Sequence, residues 1–271
     1  MKKCGCPLCK FENPKTSTAG IIIKDQKVLV AKRKIEPFKG GWDFLGGYLE
    51  KNETPEEGHK REIKEELGVD CDVTFLGSFP GTGSYKDFKF PTLGFAYLTE
   101  LKGKIRLNKE ENSKLAWVPI KELGDIAFDS NKKILKFVKE KFVYHWEDVV
   151  KLVDQLDPTA TVTEQSFYKA VLTGYISKIE EKGRLLGMGW IFPRQTALRH
   201  QAIIEDMIVD ESQRGKGLGE KILLDLIAWA KQQGIEVIEL TTNPRRVAAN
   251  ALYQKTGFKL HPTNHYLLNL R

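Results

Sequence analysis

Residues 47–69 read GYLEKNETPEEGHKREIKEELGV, and this stretch decides how the first half of the chain is interpreted. Thr54 is a favoured helix-capping residue, Pro55 follows at the first helical position, and Glu57 completes a capping box. Gly68 is of the residue type that most often ends a helix in the left-handed conformation. The pattern predicts a capped helix that begins at Thr54 and ends before Gly68.

The predicted helix carries an acidic face. Glu62, Glu65 and Glu66 are spaced i, i+3 and i+4, so their side chains lie on one side. Three like charges destabilise an isolated helix, and a bound divalent cation would reverse the sign of that interaction. Carboxylate oxygens suit Mg²⁺, which usually binds alongside substrate phosphates. Arg61, four residues from both Glu57 and Glu65, can brace the cluster. The alternative is a solvated charged helix without a ligand.

This stretch also matches the Nudix box, Gly-x5-Glu-x7-Arg-Glu-U-x-Glu-Glu-x-Gly-U with U aliphatic, at every fixed position. It resembles a MutT-type Nudix hydrolase domain covering residues 15–140. The resemblance implies hydrolysis of a nucleoside diphosphate linked to another moiety, with water attacking phosphorus and Mg²⁺ or Mn²⁺ stabilising the pyrophosphate. It also implies that Glu62, Glu65 and Glu66 are catalytic metal ligands, with the Gly47 carbonyl as a further metal ligand.

The general base and the substrate of this domain stay open. The acid that acts as base varies within the family, and either Glu110 or Glu111 could supply a further acid from a loop. Leu45 stands where many family members have proline before the box, which loosens the turn but removes no ligand. The signature of NADH pyrophosphatases is absent after Val69. ADP-ribose or another dinucleotide-like diphosphate is the expected substrate.

Three cysteines crowd the amino-terminal segment 1–14, as Cys4, Cys6 and Cys9. The Nudix subgroup that this sequence resembles often begins with a four-cysteine zinc ribbon, and Cys6-Pro-Leu-Cys9 matches only its second half. A structural zinc site needs four ligands, and the five histidines form no group with ligand spacing. We therefore expect a cysteine-containing tail or ribbon remnant rather than a zinc site.

A second motif lies near the carboxyl terminus, where residues 213–219 read QRGKGLG before an amphipathic helix. Backbone N–H groups at a helix N-terminus bind anions, and glycines let the backbone approach a pyrophosphate closely. The spacing fits neither a Walker A loop nor the dinucleotide-binding fingerprint. Taken alone, such a loop is also found as a turn without a ligand.

The loop fits Arg/Gln-x-x-Gly-x-Gly/Ala, and residues 249–258 (ANALYQKTGF) fit Ala-x-x-Leu-Tyr-x3-Gly-Phe. Together these motifs resemble the GNAT family of N-acetyltransferases over residues 141–271. The resemblance implies acetyl transfer from acetyl-CoA to an amine. It implies that Tyr253 protonates the departing CoA thiolate, in keeping with reference pKa values near 10 for tyrosine and 8.5 for a thiol. Glu205 is the best candidate to deprotonate the amine, and an acceptor-binding acid is the alternative; a packed aromatic is the alternative for Tyr253.

The same resemblance implies an acetyl-CoA site made largely of backbone groups. Two residues on a strand that splays from its neighbour would pair with pantetheine, and the glycine loop would hold the pyrophosphate. The cofactor-binding residues so implied are Ile208, Val209, Arg214, Gly215, Lys216, Gly217, Leu218, Gly219 and Asn250.

Composition narrows the possible partners. Of 271 residues, 41% are apolar and 29% charged, which excludes a disordered or low-complexity chain. Without a signal peptide or a membrane-length apolar run, a cytoplasmic protein with no membrane partner is expected. The net charge of +7 could help attract an anionic small molecule. Nucleic acid is not expected as a partner, because no basic stripe interleaved with aromatics is present.

The sequence thus predicts an α/β (α+β) protein: a tail over residues 1–14, a Nudix α/β/α sandwich with a mixed sheet over 15–140, and a GNAT fold with a mixed, mostly antiparallel sheet over 141–271. The predicted strands are a hairpin within 19–30 and segments 72–77, 92–99, 114–118, 175–179, 185–192, 202–209, 235–241 and 265–270. The other predicted helices are 130–139, 147–156, 162–172, 216–233 and 246–255.

The predicted function is bifunctional: a small-molecule nucleoside diphosphate derivative is hydrolysed, and acetyl-CoA acetylates an unidentified amine acceptor. The alternative is an acetyltransferase regulated by a Nudix domain that senses a nucleotide without turnover. A further hypothesis is that the Nudix half cleaves CoA itself, because CoA is a nucleoside diphosphate derivative.

Overall fold

The computed structural model describes residues 13–85, 88–268 and 270. This part of the chain forms two compact units. The first unit holds the described residues up to Trp146 and the segment Thr163–Lys169, and the second holds Glu147–Val162 and the described residues from Ala170 onward. Within these residues, every helix is too short or too polar to cross a membrane. Cys4, Cys6 and Cys9 lie outside the described residues.

The first unit is built on two sheets. Its elements in chain order are β1 (Lys15–Ile21), β2 (Ile23–Lys24), β3 (Lys27–Arg33), β4 (Trp42–Asp43), α1 (Pro55–Leu67), β5 (Asp70–Tyr85), β6 (Phe88–Lys102), β7 (Asn112–Pro119) and α2 (Asp129–Lys141). One sheet has the order β1-β6-β5, with β1 parallel and β5 antiparallel to β6. In the other sheet, β2, β4 and β7 all pair antiparallel with β3.

Helix α1 has the ends that the sequence predicts. The Thr54 side chain accepts a hydrogen bond from the Glu57 backbone N–H, and the Glu57 carboxylate accepts one from the Thr54 N–H. Gly68 ends the helix with φ of 69°. Ile63 and Leu67 are fully buried in the core of the unit, so the opposite face of the helix presents the glutamates.

The first unit also contains the start of a helix that follows it in the sequence, α4 (Glu164–Thr173). The Glu164 carboxylate accepts hydrogen bonds from the backbone N–H groups of Asp25 (2.6 Å) and Gln26 (2.9 Å), the turn between β2 and β3. Tyr168 is fully buried, packs edge to face on Phe142 at 5.1 Å and hydrogen-bonds the Gln26 side chain. The sequence predicts helix α4 and the β2–β3 hairpin, but it does not predict that the helix binds the turn of the hairpin.

The second unit is a four-stranded sheet with helices. Besides the end of α4, it contains α3 (Trp146–Leu156), whose first residue belongs to the first unit. Its further elements are β8 (Tyr175–Glu181), β9 (Arg184–Gln195), β10 (His200–Val209), α5 (Leu218–Gln232), β11 (Val237–Leu240) and α6 (Val247–Lys255). The strand order is β11-β10-β9-β8, and only the β10–β11 pair is parallel. Helix α5 buries Ile222, Leu223 and Leu226 in a core shared with β9 and β10. The predicted class, α+β with mixed sheets, is confirmed.

The prediction of a last strand over 265–270 is wrong for the described residues. From Lys259 to Leu268, and at Leu270, the described backbone forms neither helix nor strand. Tyr266, Leu267 and Leu270 are 82–88% exposed. A run of apolar side chains such as Tyr266–Leu268 is compatible with a strand, but a strand exists only where a neighbouring strand pairs with it.

Candidate active sites

The acidic face of α1 meets the glycine turn that precedes it. A Cβ atom on Gly47 would lie 2.4 Å from Glu62 Oε1, so only glycine allows this approach. The Gly46 N–H donates to Glu66 Oε2 at 2.8 Å. The Gly47 carbonyl already accepts from the Thr18 N–H at 2.8 Å and has a second lone pair available. The structure therefore brings Gly47, Glu62 and Glu66 to one place.

Arg61 organises the exposed side of this acidic cluster. Its guanidinium makes two hydrogen bonds to Glu53, at 3.0 and 2.9 Å. It also donates to Glu62 at 3.0 Å and to Glu65 at 3.1 Å. The hydrogen bonds from Arg61 lower the pKa of Glu53 to about 2. Glu65 is the most exposed of the three predicted ligands, with 57% of its side chain accessible.

Glu66 is half-buried, like Glu62, and has the most strongly raised pKa of these acids. Burial raises its pKa to about 8, against the opposing effect of the Gly46 N–H, and the negative charges of Glu62 and Glu111 raise it further. Burial also raises the pKa of Glu62. Of the two loop acids left open by the sequence, Glu111 is the one whose charge acts on both carboxyls.

The donor set fits a divalent cation in its chemistry. Carboxylate and carbonyl oxygens are the ligands that Mg²⁺ and Mn²⁺ take, and Glu66 pairs with no described cationic side chain. The side chains are not preassembled: no three described His, Cys, Asp or Glu residues converge as a ligand set. Glu62 and Glu65 are hydrogen-bonded to Arg61 instead.

A second buried acid in this unit was missed by the sequence analysis. Asp43, 5% exposed, accepts hydrogen bonds from Asn131 (2.6 Å), the Phe44 N–H (3.0 Å) and Arg33 (3.2 Å). Burial raises its pKa to about 7. The Arg33 guanidinium lies over the Phe128 ring at 4.8 Å. The sequence signal is that Asp43 lies between Trp42 and Phe44, two residues that favour burial. A buried acid needs hydrogen-bonding partners, so such a position merits attention.

In the second unit, strand β10 extends beyond the end of its parallel partner, β11. Pairing with β11 ends at Ile204 opposite Leu240, whereas β10 continues to Val209. Pairing with β9 shifts register between Glu205 and Ile208. The predicted pantetheine residues Ile208 and Val209 therefore follow the point where the two parallel strands cease to pair.

The glycine loop stands open at the start of α5. Gly215 and Gly217 have φ of 79° and 75°, and a Cβ atom on either would meet nothing within 4 Å. Lys221 makes the first hydrogen bond back to this loop, to the Gly217 carbonyl at 3.2 Å. The N–H groups of residues 215–220 have no acceptor in the described chain. Free N–H groups at a helix N-terminus are the donors that an anion requires.

Helix α3 fastens the turn that leads into this loop, a contact the sequence did not predict. Lys151 Nζ lies 2.5 Å from a carboxylate oxygen of Asp210, which is buried at the end of β10. The other oxygen of Asp210 accepts from the Ser212 N–H at 2.9 Å. Gln155 accepts from the Glu211 N–H at 3.0 Å. Hydrogen bonds from Lys151 and Ser212 lower the pKa of Asp210 to about 2.

The remaining predicted residues have distinct surroundings. Tyr253 is half-buried, which raises its pKa, and packs edge to face on Phe258 at 6.0 Å. Glu205 is half-buried on β10, and burial raises its pKa. The Asn250 side-chain N–H groups are engaged by the carbonyls of Asn243 (3.1 Å) and Arg246 (3.0 Å), so this amide ties the loop before α6.

Comparison with known proteins assigns both halves of the chain. The model of the NUDIX domain matches residues 14–141, and the model of the acetyltransferase (GNAT) family matches residues 141–258. The ADP-ribose pyrophosphatase of Methanocaldococcus jannaschii is 32% identical over 132 residues, which is 48% of this chain and 77% of that protein. The 8-oxo-dGTP diphosphatase of Proteus vulgaris is 40% identical over 96 residues, 33% of this chain and 86% of that protein.

On the acetyltransferase side, the mycothiol acetyltransferase of Renibacterium salmoninarum is 29% identical over 100 residues, 36% of this chain and 29% of that protein. Among solved structures, a MutT Nudix hydrolase from Burkholderia pseudomallei has 25% identity and a TM-score of 0.42, covering 46% of this chain and 98% of that one. The chain belongs to the Nudix family, and it joins a Nudix pyrophosphohydrolase domain to a GNAT N-acetyltransferase domain. Both predicted resemblances are confirmed.

Proposed function

We propose that this chain is a bifunctional enzyme with a domain boundary near residue 140. Its Nudix domain hydrolyses a nucleoside diphosphate linked to another moiety and depends on Mg²⁺ or Mn²⁺. Its GNAT domain transfers acetyl from acetyl-CoA to an amine. The observation that carries the first activity is the half-buried Glu66 carboxylate beside Glu62 and Glu111, which has no described cationic partner. Such clustered acids are unfavourable without a counter-cation.

The roles of the acids follow from their positions. Glu62, Glu65, Glu66 and the Gly47 carbonyl would hold the metal ion. When bound, the ion withdraws charge from the diphosphate oxygens and activates water. Arg61 hydrogen-bonds both Glu62 and Glu65 through one guanidinium nitrogen, so these two carboxylates share a partner. The acid that takes the proton of the attacking water is one of this cluster.

The substrate class is proposed from the named relatives as well as from the box. ADP-ribose and 8-oxo-dGTP, named in two of the relatives, both contain the diphosphate unit that the acidic cluster would act on. ADP-ribose or another dinucleotide-like diphosphate is the substrate class we favour.

A hydrolysis panel tests this activity. Wild type is assayed with Mg²⁺ or Mn²⁺ against ADP-ribose, NADH, NAD, 8-oxo-dGTP, dNTPs, nucleoside diphosphate sugars and CoA. Glu66→Gln keeps the side-chain volume and removes the charge, so we expect a loss of about 10²-fold or more if the charge is needed in the transition state. Glu56→Gln, on the exposed part of the same helix, is the matched control.

Three results are informative. Cleavage of one substrate by wild type and Glu56→Gln but not by Glu66→Gln supports the hydrolase. Cleavage of CoA would support the hypothesis that this domain limits the acetyl donor, and survival of CoA beside a consumed substrate would reject it. No cleavage, with a nucleotide still binding, would replace the hydrolase by the sensor alternative.

For the GNAT domain, we propose that the β10 backbone at Ile208 and Val209, which lies beyond the pairing with β11, pairs with pantetheine and that the N–H groups of residues 214–219 hold the pyrophosphate. The amine nitrogen attacks the thioester carbonyl, and the C–S bond breaks. The Tyr253 hydroxyl gives its proton to the departing thiolate. Glu205 takes the amine proton directly or through water, and its raised pKa suits a group that must hold that proton.

Tyr253→Phe tests this assignment with the smallest change available. Release of CoA thiol is followed with a panel of amines, and acetyl-CoA binding is measured separately by calorimetry. We expect turnover to fall by about 10²-fold or more while acetyl-CoA affinity is kept, because general acid catalysis contributes that much. Tyr266→Phe is the matched control, since Tyr266 is 85% exposed. Unchanged turnover in Tyr253→Phe would make Tyr253 a packed aromatic.

A further inference from the structure

Glu66 is held on both oxygens by neutral donors. The Gly46 N–H donates to Oε2 at 2.8 Å, and the side-chain amide of Asn112 donates to Oε1 at 2.6 Å. Asn112 is 6% exposed, so this contact is sheltered from water. Two donors on opposite oxygens fix the rotation of the carboxylate about its last bond. A carboxylate offers about four lone-pair sites, so both oxygens keep one for another partner.

A bulge in β7 places the Asn112 side chain next to Glu66. Lys32 pairs with Lys114, but the next residue, Arg33, pairs with Asn112, so Ser113 is the extra residue. The Ser113 hydroxyl donates a hydrogen bond to the Lys32 carbonyl at 3.1 Å. The side chain of the extra residue is therefore engaged at the surface and not at Glu66. Successive side chains of a strand alternate between faces, and a bulge changes which one points inward. The bulge therefore decides that an amide meets Glu66.

The charge of the donor is as important as its position. A lysine at residue 112 would neutralise Glu66 and compete with a cation, and an aspartate would repel it. The neutral amide orients the Glu66 carboxyl group without adding a positive charge that would compete with a cation. The same strand start brings Glu111 near, with its carbonyl fixed by the Lys34 N–H at 2.7 Å.

We propose that Asn112 is a positioning residue of the Nudix site, which holds the Glu66 carboxylate in the orientation that a divalent cation requires. This inference rests on the proposed metal-dependent hydrolysis. Partners that orient metal ligands typically change metal affinity about 10–100-fold when they are removed. The effect should therefore appear in metal binding itself, before any substrate is added.

The test measures Mn²⁺ affinity of the full chain without substrate, from the electron paramagnetic resonance signal of free Mn²⁺. The variants are Asn112→Leu, which keeps the side-chain volume, and Asn112→Ala. Ser113→Ala is the matched control on the neighbouring bulged residue, and Glu66→Gln reports the loss of the ligand. We expect the Asn112 variants to raise the Mn²⁺ dissociation constant by about tenfold or more, and Ser113→Ala to leave it unchanged. The Mn²⁺ dissociation constant is calculated for the folded protein only, and the folded fraction is measured by circular dichroism. If Asn112 has only a structural role, its variants lower the folded fraction and leave the dissociation constant unchanged.

The outcomes separate this inference from the proposed function. If wild type binds Mn²⁺, Glu66→Gln weakens binding and both Asn112 variants bind as wild type, the positioning role is wrong while the metal site stands. If wild type binds no Mn²⁺, the metal-dependent hydrolysis and the role of Asn112 are both overturned. Weakened binding in Asn112→Leu and Asn112→Ala, with Ser113→Ala unchanged, supports the inference.

Discussion

Replacing Tyr168 by alanine should destabilise the Nudix unit, although Tyr168 lies in the part of the sequence that matches the acetyltransferase family. Its ring is fully buried against Phe142, and its hydroxyl meets the side chain of Gln26 at the β2–β3 turn. The carboxylate of the neighbouring Glu164 accepts hydrogen bonds from two backbone N–H groups of the same turn. We therefore expect residues 163–169 to be part of the folding unit of the Nudix domain.

The size of the effect follows from burial. Truncating a fully buried aromatic to alanine costs about 3–5 kcal/mol. Tyr168→Phe removes only the hydroxyl, and Gln26 keeps its 3.0 Å hydrogen bond to Glu164, so this variant should cost about 1 kcal/mol. Against a typical stability of about 5–15 kcal/mol, the alanine variant removes a large fraction.

Urea unfolding and amide hydrogen exchange measure these effects together. The Gln26 N–H donates to Glu164 at 2.9 Å, so its exchange protection reports the contact locally. Tyr266→Ala is the matched control, because that ring is 85% exposed. The reasoning fails if Tyr168→Ala lowers stability no more than Tyr266→Ala and leaves the protection of Gln26 unchanged.

Three further predictions concern other sites. His59 is fully buried, and burial lowers its pKa from 6.5 to about 4, so only the unfolded chain takes up this proton between those values. The stability difference between wild type and His59→Gln, measured by urea unfolding, should therefore be constant above pH 6.5 and shift by about 3 kcal/mol against wild type as the pH drops to 4, because the raised pKa values of Glu66 and Asp43 act equally in both proteins. In Gly47→Ala the added Cβ would lie 2.4 Å from Glu62 Oε1 and would push that carboxylate away, so hydrolysis should drop by about 10²-fold in initial-rate assays, whereas the Cβ of Gly124→Ala meets no atom within 4 Å and this variant should be silent. Lys151→Ala removes the contact that fastens the turn before the glycine loop, so calorimetry should show weaker acetyl-CoA binding with no change in nucleotide hydrolysis.

Each of these has its own control and contrary result. The stability difference between wild type and His261→Gln, on an exposed side chain, should not change with pH, and a difference for His59→Gln that is equally independent of pH would refute the role of His59. A silent Gly47→Ala would mean that the turn does not need to touch Glu62. Lys231→Ala replaces an exposed lysine on α5, and equal acetyl-CoA affinity in Lys151→Ala and Lys231→Ala would remove the role of α3 in shaping the loop.

Local patterns were the most predictable part of this protein. The ends of α1 are decided by Thr54, Glu57 and Gly68, whose contacts span three or four residues. Such features depend on backbone geometry alone, so a single sequence suffices to predict them.

Features that depend on distant partners were missed or wrong. The partners of Asp43 include Asn131, 88 positions away, and nothing local to either residue indicates the contact. The strand predicted over 265–270 failed for the converse reason, since its local pattern is suitable but no described strand pairs with it. The roles given to the site residues stay predictions that the experiments above would test.

The sequence by itself determined that Glu62, Glu65 and Glu66 share a helix face, because helical periodicity places residues three and four apart on one side. It also determined both families through motifs that are contiguous in the chain. Only the tertiary structure decided that desolvation raises the pKa of Glu66 to about 8 and that Asn112, 46 positions away, donates to it. That pairing depends on the register and the bulge of β7, because a shift of one residue in a strand turns every side chain to the other face.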